Sequence, residues 1–147
     1  MVTLDRNADY ERIIRSVADW AARQEDIIGV AVVGSCARNT ERMDSDVDLV
    51  ILTDREERYL SDSFWVPAAV GEPAELLRTQ DWAPLTERRI VVRSGLEIEF
   101  GFTGRDWALA DPVEAGTARV VREGCSPLVD PEKAFTRLIA AVGTGLR

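Results

Sequence analysis

Two acidic residues within one short apolar run are the feature of this chain that could most directly perform chemistry. Asp46 and Asp48 stand at alternate positions, with Val47 between them and Leu49 after them. Because side chains of a β-strand alternate between its two faces, this spacing places both carboxylates on one face. Two carboxylates on one face of a buried strand must be neutralised. A divalent cation that also carries phosphate groups can do this.

A Gly-Ser pair lies upstream of the two acids, and ten residues separate it from Asp46. Gly34 and Ser35 follow an apolar run, and they precede Cys36–Arg42, which we predict to form a short helix. A turn that opens a helix offers backbone N–H groups and a hydroxyl to phosphate oxygens, and glycine lets the backbone come close. Turn and acids together indicate a site for the phosphates of a nucleotide.

A second segment repeats the alternation of acids and apolar residues. Glu97 and Glu99 share one face, while Ile98 and Phe100 share the other. If this segment lies beside the strand of Asp46 and Asp48, a third carboxylate joins the pair. Three carboxylates can hold one or two Mg²⁺ ions, and the third can also accept a proton from an attacking hydroxyl.

Composition limits which chemistry is available. The chain contains no histidine, so a histidine base, a Ser-His-Asp triad and a typical catalytic zinc site are excluded. Its net charge of −8 argues against broad nucleic-acid binding through a basic surface. Catalysis must therefore use carboxylates, hydroxyls, arginine and metal.

Length and hydropathy indicate one domain, residues 1–147, outside the membrane. A chain of 147 residues is long enough to bury a sizeable core. No apolar run approaches the ~18 residues of a membrane span, and the first residues lack the basic-then-apolar order of a signal peptide. We therefore expect a cytoplasmic protein.

Elements of both kinds alternate along the chain. The sequence predicts helices at Ala8–Arg23 and Asp54–Leu60. It predicts a last helix that is capped by Asp130, begins at Pro131 and ends at about Val142. It predicts extended segments at Ile27–Val33, Asp46–Leu52, Leu76–Gln80, Thr86–Arg93 and Leu96–Phe102, the last two joined by a tight Ser94-Gly95 hairpin turn. We expect Ser63–Pro73 to be a loop with Phe64, Trp65 and Val66 exposed, and a helical turn near Trp107. The pattern indicates an α+β fold with a mixed, mostly antiparallel sheet flanked by helices.

The run Gly34-Ser35-Cys36-Ala37-Arg38, followed by Ser45-Asp46-Val47-Asp48-Leu49, resembles the signature of minimal nucleotidyltransferases. These belong to the DNA polymerase β-like superfamily, which includes aminoglycoside nucleotidyltransferases and small antitoxin-type domains. The resemblance spans about Ile27–Phe102 and implies the polymerase β-like nucleotidyltransferase fold.

The resemblance also implies roles for particular residues. Asp46, Asp48 and a third acid would bind Mg²⁺ and serve catalysis; the third acid is Glu97 or Glu99, and we favour Glu99 because Ile98 and Phe100 flank it. The residues implied to hold the nucleotide are Gly34, Ser35, Arg38 and Ser45. Arg38 could equally pair with Asp44 or Asp46.

The implied reaction is attack of an acceptor hydroxyl on the α-phosphorus of a nucleoside triphosphate, with release of pyrophosphate. Family habit implies ATP as the donor. The acceptor would be a small molecule or a protein, and a homodimer or a toxin-like partner would complete its pocket. The alternative is a catalytically silent module of the same fold that binds and regulates a partner protein. Sugar-nucleotide transferases and aspartyl phosphatases also use Asp-x-Asp, but the former do not call for the upstream Gly-Ser.

One arginine pair lies close to the predicted site. Arg88 or Arg89 could face the pocket and hold phosphate, but the sequence favours a pair on the surface.

Overall fold

A six-stranded sheet forms the centre of the computed structural model, which describes residues 4–34 and 46–145. The strands are β1 (Ile27–Val33), β2 (Val47–Thr53), β3 (Ala74–Asp81), β4 (Thr86–Val92), β5 (Glu97–Thr103) and β6 (Cys125–Val129). Their order across the sheet is β3-β4-β5-β2-β1-β6. Only β2 and β5 run parallel within this sheet; the other neighbours are antiparallel. The prediction of a mixed, mostly antiparallel sheet is confirmed.

Helices cover both faces of the sheet, as the predicted α+β fold requires. They are α1 (Leu4–Ala22), α2 (Glu57–Leu60), α3 (Val66–Val70), a 3-10 helix (Arg105–Ala108), α4 (Ala115–Glu123) and α5 (Ala134–Gly145). One buried cluster joins α1 and α3 to the sheet, and a second joins α4 and α5 to its opposite face. Within the described ranges, no helix is both long and apolar enough to span a bilayer.

Strand alternation decides which residues face which helices. Leu49 of β2 and Phe100 of β5 lie in the cluster on the α1 face. Val50 lies in the cluster on the opposite face, beside α4 and α5. Because residues two apart in a strand share a face, Asp48 and Glu99 belong to the α4 and α5 face of the sheet.

The segment predicted as a loop at Ser63–Pro73 contains helix α3 instead. Val66 is buried, and the ring of Trp65 stacks on Trp20 at a centroid distance of 5.4 Å and meets Phe100 at 5.0 Å. The prediction that Trp65 and Val66 are exposed is therefore wrong, whereas Phe64 is exposed as expected. The proline at the start of α3 suits a first helical turn, and burial of the apolar groups stabilises so short a helix.

The C-terminal region differs from prediction in two respects. The sequence pattern assigned neither α4 nor β6, and β6 pairs antiparallel with β1 at one edge of the sheet. The last helix begins at Ala134 rather than Pro131, because Lys133 has a left-handed φ of 61° that cannot belong to a helix. Asp130 is still its cap, since its carboxylate accepts hydrogen bonds from the Phe135 and Thr136 N–H groups at 3.1 and 2.9 Å.

The hairpin between β4 and β5 has a longer loop than the predicted two-residue turn. The Val92 N–H donates to the Leu96 carbonyl at 3.1 Å, so three residues form the loop. Gly95, the last of them, has a φ of 94°, which a residue with a side chain rarely adopts. In this register Arg89 pairs with Glu99, whereas a two-residue turn would have placed it opposite Phe100.

Arg88 lies in the core and not on the surface. Its side chain is 5% exposed and donates to the carbonyl oxygens of Tyr59 at 2.7 Å and Asp62 at 2.5 Å. It also donates to the Thr79 hydroxyl at 3.1 Å. The guanidinium therefore connects β4 to α2 and to the residues that follow it, and the prediction of a surface pair is wrong for Arg88.

Replacing Arg88 with leucine should destabilise the fold by about 2–4 kcal/mol, because the buried side chain loses its hydrogen bonds to the Tyr59 and Asp62 carbonyls and to the Thr79 hydroxyl. The free energy of unfolding, measured by urea denaturation, checks this. Arg105→Leu is the matched control: Arg105 pairs with Asp54 and Glu132 at the exposed surface, and its loss should leave unfolding almost unchanged. Equal effects of the two substitutions would contradict the role assigned to Arg88.

Candidate active site

Parallel pairing of β2 with β5 brings the predicted acids together. Asp48 is the direct register partner of Glu99, so their side chains leave the same face of the sheet from adjacent strands. The Glu97–Glu99 segment therefore lies beside the Asp46–Asp48 segment, which is the condition under which a third carboxylate joins the pair. Like charges in adjacent strands repel, so this arrangement needs a positive charge close by.

The turn after β1 adjoins the same carboxylate. Val33 pairs with Asp48, and Gly34 follows with a left-handed φ of 78°. A Cβ atom on Gly34 would lie 3.1 Å from the Asp48 Oδ2 atom, so a side chain here would crowd the carboxylate. The Gly34 N–H donates to the Gly124 carbonyl at 3.1 Å. Glycine at this position therefore permits a close approach of the turn to Asp48, and its own N–H is already used.

Part of the predicted site lies outside the described residues. Ser35, Arg38 and Ser45 belong to it, as does the predicted helix Cys36–Arg42. Their implied roles in nucleotide binding stay predictions.

Arg89 lies among the acids and contacts three of them. Its Nη1 atom is 2.5 Å from the Asp46 Oδ2 atom and 2.8 Å from the Glu97 Oε1 atom, and its Nη2 atom contacts Glu99. The side chains of Arg89 and Glu99 are only 18% and 14% exposed. Arg78 adds a second, more exposed cation, 3.1 Å from Glu87 and 3.8 Å from Glu99. Two of the three acids that the sequence predicts as metal ligands, Asp46 and Glu99, are thus bridged by one guanidinium.

The negative charge of Asp48 is only partly compensated. The pKa of Asp48 is raised to about 6: burial contributes most, the negative charges of Asp46 and Glu87 add to the rise, and the charge of Arg89 opposes it only in part. A buried carboxylate that is hard to ionise beside other carboxylates marks a place where an added cation would be stabilised.

A cavity of about 240 Å³ opens beside these residues. Among the residues that line it are Gly34, Asp48, Leu85, Glu87, Glu99, Trp107 and Glu123. Sequence reasoning did not assign Glu87, Trp107 or Glu123 to the site. Glu87 could have been found from its spacing, because it alternates with Arg89 along β4 and so shares the face of the acids.

The chemistry of this donor set suits a hard divalent cation. Carboxylate oxygens are the ligands that Mg²⁺ prefers, and the charges of Asp46 and Glu87 add, after burial, to the raised pKa of Asp48. In residues 4–34 and 46–145, however, no three acidic or cysteine side chains are spaced for a metal ion. Asp46 and Glu99 are oriented toward the guanidinium of Arg89.

The shifted pKa of Asp48 predicts a pH dependence of stability in metal-free buffer. Its pKa in the folded chain, about 6, lies above its ordinary value of 3.8, so the folded state binds the proton more tightly. The free energy of unfolding should therefore fall by about 2 kcal/mol as the pH rises from about 4 to about 6.

Chemical denaturation with EDTA at a series of pH values tests this dependence. Asp48→Asn should remove the fall, whereas Asp54→Asn should retain it, because Asp54 is an exposed acid just past the opposite end of β2 from Asp48. A fall of the same size in Asp48→Asn would assign the effect to another group.

Comparison with known proteins places this geometry in context. The family model described as "Nucleotidyltransferase domain" matches residues 13–97, more than half of the chain. Among solved structures, the crystal structure of the Cid1 poly(U) polymerase aligns with a TM-score of 0.51 and 14% sequence identity. The alignment covers 71% of this chain and 32% of that polymerase, so this chain spans about a third of its length. No match is found among curated protein sequences.

Proposed function

The chain belongs to the nucleotidyltransferase domain family, and we propose that it transfers a nucleoside monophosphate from a triphosphate to a hydroxyl group with Mg²⁺. The observation that carries this proposal is the register of β2 and β5, which sets Asp48 opposite Glu99 beside the turn at Gly34. An acidic face next to a glycine turn is what a magnesium-bound triphosphate requires.

The proposed reaction is a displacement at the α-phosphorus. The acceptor oxygen forms a bond to the α-phosphorus, the bond to the oxygen bridging the α- and β-phosphates breaks, and pyrophosphate leaves. Glu99 accepts the proton that the acceptor hydroxyl loses. Its burial beside Asp48 keeps it in place for that transfer.

Asp46, Asp48 and Glu99 would hold the magnesium. When bound, Mg²⁺ supplies the positive charge that orients the phosphates and offsets the charge developing on them. Gly34 lets the triphosphate lie close to Asp48, and Ser35, Arg38 and Ser45 are proposed to bind its oxygens.

We propose ATP as the donor of the nucleoside monophosphate. Because the similar solved structure is named a poly(U) polymerase, UTP is the first alternative to test. The acceptor is a hydroxyl of a small molecule or of a protein, and a second copy of the chain or a toxin-like partner completes its pocket. We place the reaction in the cytoplasm.

Incubation with each of the four α-labelled nucleoside triphosphates, Mg²⁺ and a cell extract tests the proposal. We expect label from ATP to appear in one acceptor, and EDTA to abolish its transfer. Asp48→Asn should reduce transfer by at least about a thousandfold while leaving the circular dichroism spectrum unchanged. Full transfer by Asp48→Asn would remove this residue from the site.

Failure of the wild-type chain to transfer any label, or to bind a triphosphate in a magnesium-dependent manner by calorimetry, would favour the catalytically silent binding module instead.

Separate replacement of each of the two glutamates of β5 with glutamine distinguishes their roles. Glu99→Gln should lower transfer by about a hundredfold or more, because the register partner of Asp48 loses its charge. Glu97→Gln should lower it far less, since Glu97 is more exposed and contacts Arg89 at the edge of the site. Initial rates at saturating nucleotide measure both, and equal losses would defeat the choice of Glu99.

A further inference from the structure

Arg89 contacts the same carboxylates that the proposed function assigns to the metal. Its two terminal nitrogens contact Asp46, Glu97 and Glu99, and its side chain is 18% exposed. Arg105 also bridges two acids, but its side chain and both partners are about half exposed. Arg89 is therefore a partly buried cation held by the acids of the site, whereas Arg105 forms an ordinary surface pair.

We infer that Arg89 is an internal counter-cation that occupies the carboxylate site until a metal–nucleotide complex displaces it. This inference rests on the proposed function, because it takes Asp46 and Glu99 as metal ligands. A guanidinium and a divalent cation compete for the negative charge of the same carboxylates, and they repel each other at such short range.

The contacts of Arg89 show how the guanidinium can leave. Its Nε atom is buried and finds no hydrogen-bond acceptor among the described residues, so only its terminal nitrogens hold it in place. When the Arg89 guanidinium is displaced, it loses its carboxylate partners and needs a new anionic partner. A free metal ion supplies no such partner. A metal-bound triphosphate supplies phosphate oxygens, which guanidinium groups bind well. The chain should therefore accept the metal–nucleotide complex and disfavour the free ion.

Binding of Mn²⁺ to the full chain, followed by electron paramagnetic resonance without nucleotide, tests this competition. Arg89→Gln should bind Mn²⁺ about tenfold more tightly than the wild type, because the competing cation is gone. Arg105→Gln should match the wild type, and Asp48→Asn added to Arg89→Gln should abolish the gain. Unchanged or weaker binding by a folded Arg89→Gln variant, or no binding by either chain, would overturn the inference.

Addition of a non-hydrolysable triphosphate supplies the second comparison. The nucleotide should raise the Mn²⁺ affinity of the wild type several-fold more than that of Arg89→Gln. Only in the wild type does a displaced guanidinium need the phosphate oxygens as a new partner. Equal gains would overturn the preference for the complex.

A measurement on the wild type covers the case in which Arg89→Gln does not fold. The ¹⁵N-detected signal of the Arg89 Nε–H should shift, and its exchange with water should quicken, when Mg²⁺ and nucleotide are added together. A signal that stays unchanged at saturation would overturn the inference. Absence of nucleotidyl transfer by the wild type would contradict the proposed reaction but not the inference about Arg89, because the Mn²⁺ comparison is made without turnover.

Discussion

Repulsion among carboxylates on one sheet face is the constraint on which the rest of this structure depends. The parallel pairing of β2 with β5 sets Asp48 beside Glu99, and the alternation along each strand adds Asp46 and Glu97 to the same face. Acids placed so closely are stable only with a cation among them. Arg89 supplies such a charge, and the hairpin register of β4 with β5 brings it there.

The remainder of the fold closes the opposite face of the sheet and leaves only one end of this face open. Aromatic rings of β5 and of the segment around α3 fill the side of the sheet that packs against α1. Helices α4 and α5 cover the other side, where their apolar groups pack on Val50 and Leu52 of β2. Asp48, two residues before Val50 and on the same face of β2, lies where the cavity opens. A single strand thus contributes to the core at one end and to the site at the other.

The two adjacent arginines of β4 illustrate how strongly strand alternation separates roles. Arg88 points into the α1 side, where backbone carbonyls satisfy its guanidinium and its pKa is lowered by burial. Arg89 points to the acidic side and contacts carboxylates. Neighbours in sequence therefore have unrelated functions, one structural and one electrostatic, because successive side chains leave opposite faces of the sheet.

The sequence by itself determined the strands β1, β2, β4 and β5 and the helix α1. It also determined that Asp46 and Asp48 share one face of their strand and that Glu97 and Glu99 share one face of theirs. Those features follow from local periodicity, which depends only on the order of residues along the chain. Only the tertiary structure decided that β5 lies parallel to β2 with Glu99 opposite Asp48 and that a three-residue loop places Arg89 against Glu99. It also decided that Val66 is buried and Trp65 partly buried. Strand register and the burial of a short helix depend on contacts between distant segments, and no local pattern encodes these.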